Sequence, residues 1–67
     1  MPIIRIDMFE GRDTATKQKL VRAMTDAMVQ ITGCSEASVN VLINNIAKED
    51  WGLGGELASR KFPDKGK

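Results

Sequence analysis

An α+β protomer is predicted: two parallel strands joined by one long helix, then a C-terminal hairpin, the whole assembled into an oligomer. Three observations predict it. Apolar side chains alternate over Ile3–Phe9 and again over Val39–Ile46, they recur at helical spacing between Thr14 and Thr32, and 67 residues are too few to enclose a core unaided. Chains of this size need disulfides, a metal or partners. Cys34 is the one cysteine and histidine is absent, so neither an internal disulfide nor a Cys/His zinc site can form. Association is what remains.

In the first strand Ile4, Ile6 and Met8 share one face, and Ile3, Arg5, Asp7 and Phe9 the other. Glu10-Gly11-Arg12 breaks the run, and Asp13 or Thr14 can cap the helix that follows. The helix carries Leu20, Met24, Ala27, Met28 and Ile31 as its apolar stripe, widened by Val21 and Ala23, with Lys17, Lys19, Arg22 and Asp26 on the wet side. Gly33 is placed to stop it. Ser35–Ser38 is a short connection to the second strand, where Val39, Val41 and Ile43 oppose Asn40, Leu42, Asn44 and Ile46. Strand, helix, strand implies parallel pairing with a right-handed crossover.

One helix covers one sheet face, here that of Ile4, Ile6, Met8, Val39, Val41 and Ile43. The opposite face mixes Ile3, Phe9, Leu42 and Ile46 with Arg5, Asp7, Asn40 and Asn44. Such a surface is too apolar for water and too polar for a dry core, and is expected to meet another subunit and share a pocket with it. Trp51-Gly52-Leu53-Gly54-Gly55 then reads as a tight reversal that sets Trp51 onto a neighbour. A single domain over 1–67 is expected, with 61–67 a frayed tail.

Ten basic against nine acidic residues, a net charge of +1 without a basic block, argue against nucleic acid as a partner. No apolar run is long enough for a membrane span, and the start lacks the order of a signal peptide, so a cytoplasmic protein is expected. The methionines at 8, 24 and 28 read as packing.

Pro2 carries the chemistry. A small second residue lets an initiator methionine be clipped, which would leave Pro2 as a free secondary amine. In a chain without histidine this is the group that can titrate near neutrality with little perturbation. Apolar surroundings and a nearby arginine both penalise the ammonium form, so the amine could act as a general base at pH 7. From position alone a plainer reading is the stronger one: Pro2 begins an edge strand, where its missing N–H costs nothing.

Three separated pieces change that weighting: Met1-Pro2-Ile3, Glu10-Gly11-Arg12, and Trp51-Gly52-Leu53-Gly54-Gly55-Glu56-Leu57-Ala58-Ser59. With them the chain resembles, from Pro2 to about Arg60, the small subunits of the 4-oxalocrotonate tautomerase family. The resemblance implies a β-α-β protomer in a homohexamer, a trimer of dimers, with active sites at subunit boundaries and neither metal nor cofactor. It implies an isomerase that converts 2-hydroxymuconate, or a related 2-hydroxydienoate or enolpyruvate, into the 2-oxo isomer, as in bacterial breakdown of aromatic hydrocarbons. Pro2 matches the catalytic proline. Arg12 matches an arginine that holds the distal carboxylate of the substrate, Trp51 an aromatic wall that is usually phenylalanine, and Phe9 a further wall position.

Asn40 departs from the pattern. It stands where the family has a second arginine, which another subunit contributes to the carboxylate and the neighbouring 2-oxygen. An amide donates a neutral hydrogen bond and cannot neutralise a carboxylate. Three resolutions stay open: Arg5, or Arg60 and Lys61 of a neighbour, supplies the charge; the substrate has one carboxylate, held by Arg12; or the chain is one subunit of a hetero-oligomeric tautomerase. Two rivals stand beside these. A hydratase-like dehalogenase needs a water-activating carboxylate where Leu53 and Phe9 stand, and a metabolite-binding homo-oligomer needs no chemistry at Pro2.

Overall fold

In the computed structural model, which describes residues 1–63, strand β1 (Ile3–Phe9) pairs in parallel with β2 (Asn40–Ile46), from Ile3 opposite Asn40 to Phe9 opposite Ile46. Two bonds extend the ladder at its ends: the Asn40 N–H donates to the Pro2 carbonyl at 3.0 Å, and the Glu10 N–H to the Ile46 carbonyl at 3.1 Å. Between the strands runs α1 (Thr14–Thr32), followed by a single 3-10 turn at Glu36–Ser38. The β-α-β order is the one the alternation predicts. The predicted start of the second strand at Val39 moves by one residue, because Val39 closes the 3-10 turn through its N–H to the Glu36 carbonyl.

Asp13 caps α1, its Oδ1 accepting the Thr16 N–H at 2.8 Å, and that bond holds its carboxyl below the ordinary aspartate range. At the other end Gly33 takes φ 78°, a left-handed cap whose N–H reaches the Val29 carbonyl at 2.9 Å. Arg22 bridges Asp26 at 2.6 Å and Glu36 at 2.9 Å, tying the helix to the 3-10 turn after it.

The inward stripe of α1 differs from the predicted one. Thr25 is buried, flanked by half-buried Leu20, Val21, Met24, Met28 and Val29, whereas Ala23 and Ala27 are exposed and Ile31 is 82% exposed. A two-stranded sheet is narrower than the helix's apolar arc, so only part of that arc finds a partner within the chain. The remainder edges an apolar groove of about 360 Å³ lined by Ile4, Met24, Ala27, Met28 and Ile31.

After a second 3-10 turn at Lys48–Asp50, β3 (Gly52–Leu53) and β4 (Glu56–Leu57) form the expected hairpin. Gly54 and Gly55 both have positive φ, 59° and 89°, as a two-residue hairpin loop with the strands' own twist requires. Helix α2 (Ala58–Lys61) follows, so the tail expected from Lys61 onward is helical at its first residue, and the Phe62 N–H still donates to the Ala58 carbonyl at 2.7 Å. The rest of that expected tail, 64–67, lies outside the described residues.

Among the described residues only Ala58 and Thr25 are buried. The accessible surface is 5202 Å², against roughly 4200 Å² for a compact monomer of this mass. The radius of gyration is 15.2 Å, against about 11 Å for a compact chain. One helix on two strands makes a slab, without a second layer to close a core. No helix among the described residues is long and apolar enough to cross a membrane.

Candidate functional site

The expected site residues fall at two opposite ends of the β1–β2 sheet. At the entering end, Pro2 is half-buried and its carbonyl is fixed by the Asn40 N–H. Met1 is 91% exposed and makes no hydrogen bond with the described residues, so removing it disturbs no packing. The Asn40 side chain turns back on its own segment, its amide donating to the Ser38 carbonyl at 3.3 Å. The Asn40 side chain, opposite Ile3 at this end, therefore brings no charge.

From this end the open face of the sheet runs through Ile3 and Asn40, Arg5 and Leu42, Asp7 and Asn44, paired in that order across the strands. All six are exposed. Asn44 donates to Asp7 Oδ1 at 2.9 Å, which occupies the nearest acid to Arg5 with a neutral amide.

At the leaving end the chain is better packed. Phe9 and Trp51 meet edge to face, centroids 4.6 Å apart at 61°. Trp51 thus packs on its own chain's Phe9, where the glycine pattern suggested a neighbour. Lys48 Nζ sits 5.7 Å from the Phe9 centroid and donates to the Phe62 carbonyl at 2.8 Å. Beside the aromatic pair opens a cleft of about 330 Å³ lined by Asp7, Ile46, Asp50, Trp51 and Gly52. Arg12 follows Gly11, whose φ of 121° turns the chain out of β1, and it is exposed without an ion-pair partner among the described residues.

A strand rises about 3.3 Å per residue, so Pro2 and Phe9 are roughly 23 Å apart along β1. The fold brings Phe9 to Trp51 and Pro2 to Asn40, and it keeps the two pairs apart. Pro2 and the Arg12–Trp51 end of the same chain therefore cannot touch one small molecule.

Sequence reasoning missed Lys48, Asp50 and Asp7 as neighbours of the aromatic wall. Lys48 and Asp50 lie in a 3-10 turn, which leaves no periodicity to read. The parity of Asp7 placed it on the correct face, and only the hairpin's fold-back showed that Trp51 would reach it. Among the described residues no group of three or more His, Cys, Asp or Glu is placed to hold a metal.

Known proteins share this fold. The family model described as tautomerase enzyme matches residues 2–61. A 2-hydroxymuconate tautomerase of Pseudomonas putida is 40% identical over 60 residues, covering 90% of this chain and 95% of that protein. Among solved structures, a 4-oxalocrotonate tautomerase isozyme of Methylibium petroleiphilum superimposes with a TM-score of 0.86 at 33% identity, covering 91% of this chain and 98% of that one. A chain of the heterohexameric 4-oxalocrotonate tautomerase of Chloroflexus aurantiacus J-10-fl does so with a TM-score of 0.84 at 32% identity, over 90% and 97% of the two chains.

Proposed function

The chain belongs to the tautomerase family, and we propose that it is a cofactor-independent keto-enol tautomerase of 2-hydroxymuconate-like or other 2-hydroxydienoate and enolpyruvate substrates. Pro2, freed by loss of Met1, is its base. The observation that carries this reading is the split between the two ends of the sheet. Pro2 stands at a half-buried, hydrogen-bonded strand start, while the aromatic wall and Arg12 stand a strand's length away, so two copies laid head to tail complete one site.

In that site the neutral Pro2 amine takes the proton of the 2-hydroxyl. The O–H bond breaks, the double bonds shift along the conjugated chain, and the same proton forms a new C–H bond at a distal carbon, which returns the amine to its neutral form. Arg12 of the second copy holds the distal carboxylate bidentately and draws electron density toward that carbon. Phe9 and Trp51 exclude water from the amine, which keeps its charged form unfavourable. The homohexamer implied by the resemblance, and a cytoplasmic location, belong to the same proposal.

The test is ketonisation of 2-hydroxymuconate and of phenylenolpyruvate by the mature protein and by Pro2→Ala. Loss of a positioned general base is expected to cost about 10²–10⁴ in rate. Equal, slow turnover by both proteins on both compounds would end the assignment for this chain alone.

Asn40 favours a second reading. Its amide is neutral and engaged with Ser38, which suits one subunit of a hetero-oligomer whose other chain carries the charge. Under that reading the isolated chain is inert, and activity appears only on mixing with an arginine-bearing relative. A metabolite-binding oligomer without chemistry would bind phenylenolpyruvate and stay inert in the mixture too.

A further inference from the structure

We infer that the cleft beside Trp51 is a charge filter: Asp7 and Asp50 turn the site against a second carboxylate and toward enols with one carboxylate and an uncharged, aromatic far end. This rests on the tautomerase reading above and names the substrate class within it. Four observations carry it. The cleft, about 330 Å³, has Trp51 as one wall and is otherwise lined by Asp7, Ile46, Asp50 and Gly52. None of these residues is basic, and Arg12, at the same end of the sheet, makes no ion pair with either acid. Asp7 is held by the Asn44 amide at 2.9 Å, a neutral donor that leaves the carboxylate its charge. Asp50 is set directly before Trp51 by the 3-10 turn, its N–H donating to the Ala47 carbonyl at 2.9 Å.

The consequence is electrostatic. In a site shared by two copies, a substrate with one carboxylate on Arg12 lays the rest of its length along Trp51, and so beside the cleft. An aryl group there meets the indole and Ile46 and gains apolar contact without bringing charge. A second carboxylate brings a further negative charge beside two acids, and like charges a few ångströms apart repel most where protein has displaced water. The neighbour supplies no offset, because position 40, where the resemblance sets a second arginine, is asparagine in every copy of this chain. The volume of the cleft falls within the range of small-molecule sites.

The test is the ratio of kcat/KM for phenylenolpyruvate, with one carboxylate, to that for 2-hydroxymuconate, with two, in mature protein of wild-type assembled size. Asp50→Asn and Asp7→Asn keep the shape of each side chain and remove its charge. Each is expected to lower the ratio about fivefold, and the double variant further, by raising kcat/KM on the dicarboxylate chiefly through KM. Glu49→Gln removes the same charge from an exposed position on the same turn that does not line the cleft, and its ratio should stay within about twofold of wild type. A change acting on the Pro2 amine alone would move both substrates together and leave the ratio where it was. The inference is overturned if the ratio in the double variant stays within about twofold of wild type. It is equally overturned if Glu49→Gln lowers the ratio as much as Asp50→Asn does, which would mark a general effect of net charge. If Pro2→Ala keeps the wild-type rate on both compounds, the tautomerase reading itself fails, and this result is distinct from either of those.

Discussion

The two ends of the β1–β2 sheet differ in how much of their own environment they build. At the Phe9 end, an aromatic pair, a 3-10 turn, a hairpin and α2 close over one another, and even Lys48 is held between the Phe9 ring and the Phe62 carbonyl. At the Pro2 end there is one ladder bond, an amide turned back on its own loop, and an open face running through Ile3 and Leu42, which are 56% and 45% exposed. Pro2, the proposed base, sits where the chain builds least. A chain this small does not enclose both ends, and under the proposed function a copy of itself completes the open one.

The strongest way to break that comparison is to keep the copies apart. Leu42→Asp places a charge on the open face opposite Arg5, and it is expected to yield smaller species on sizing and activity at background. Retention of both wild-type size and rate would mean that this face is not shared. A sharper version leaves assembly intact. Pro2→Ala and Arg12→Ala, each expected to lose about 10²–10⁴ and 10²–10³ of the activity on 2-hydroxymuconate respectively, should regain a substantial fraction when unfolded and refolded together. Mixed assemblies contain sites with both ends intact, and no gain on mixing would place both ends of the site in one chain.

A smaller effect is expected at the wall. Trp51→Ala removes an edge-to-face contact with Phe9 and should cost about 2 kcal/mol of stability, below the ~3–5 kcal/mol for a fully buried tryptophan. It admits water near the Pro2 amine, so its charged form becomes easier to hold. The acid limb of kcat/KM should therefore move to higher pH, while an unmoved limb would separate Trp51 from the amine.

The smallest effect lies at the start of α1, next to Arg12. The Asp13 carboxylate is held below its ordinary value by the Thr16 N–H. A depressed folded value gives stability that is present above the unfolded value, about 3.9, and is lost as pH falls through the folded one. Asp13→Asn keeps a cap without the titration, so its melting temperature should fall less steeply below pH 4 than that of the wild type. Parallel curves would remove Asp13 from the account.

Much of this was legible beforehand. The alternation of Ile3 to Phe9 gave the strand with its bounds, Gly33 the end of the helix, and Gly54-Gly55 the hairpin, because each signal is local: a side-chain period, a left-handed cap, a two-residue loop. The stripe of α1 was read too broadly, including Ile31 and Ala27 and omitting Thr25. Periodicity reports which residues are apolar, and the width of the sheet beneath decides which of them are covered. Lys48 was not visible as a neighbour of Phe9, because a turn positions side chains by contacts that are distant in sequence.

The sequence alone determined the element order, the split of each strand into two faces and the family to which the chain belongs, since these depend on periods, caps and motifs written in consecutive residues. The tertiary structure alone decided that Pro2 and Asn40 stand at one end and Phe9, Trp51 and Arg12 at the other. Parallel pairing through a crossover helix sets both strand starts side by side, and the extended rise of β1 then separates Pro2 from Phe9 and Trp51 by more than any side chain can span.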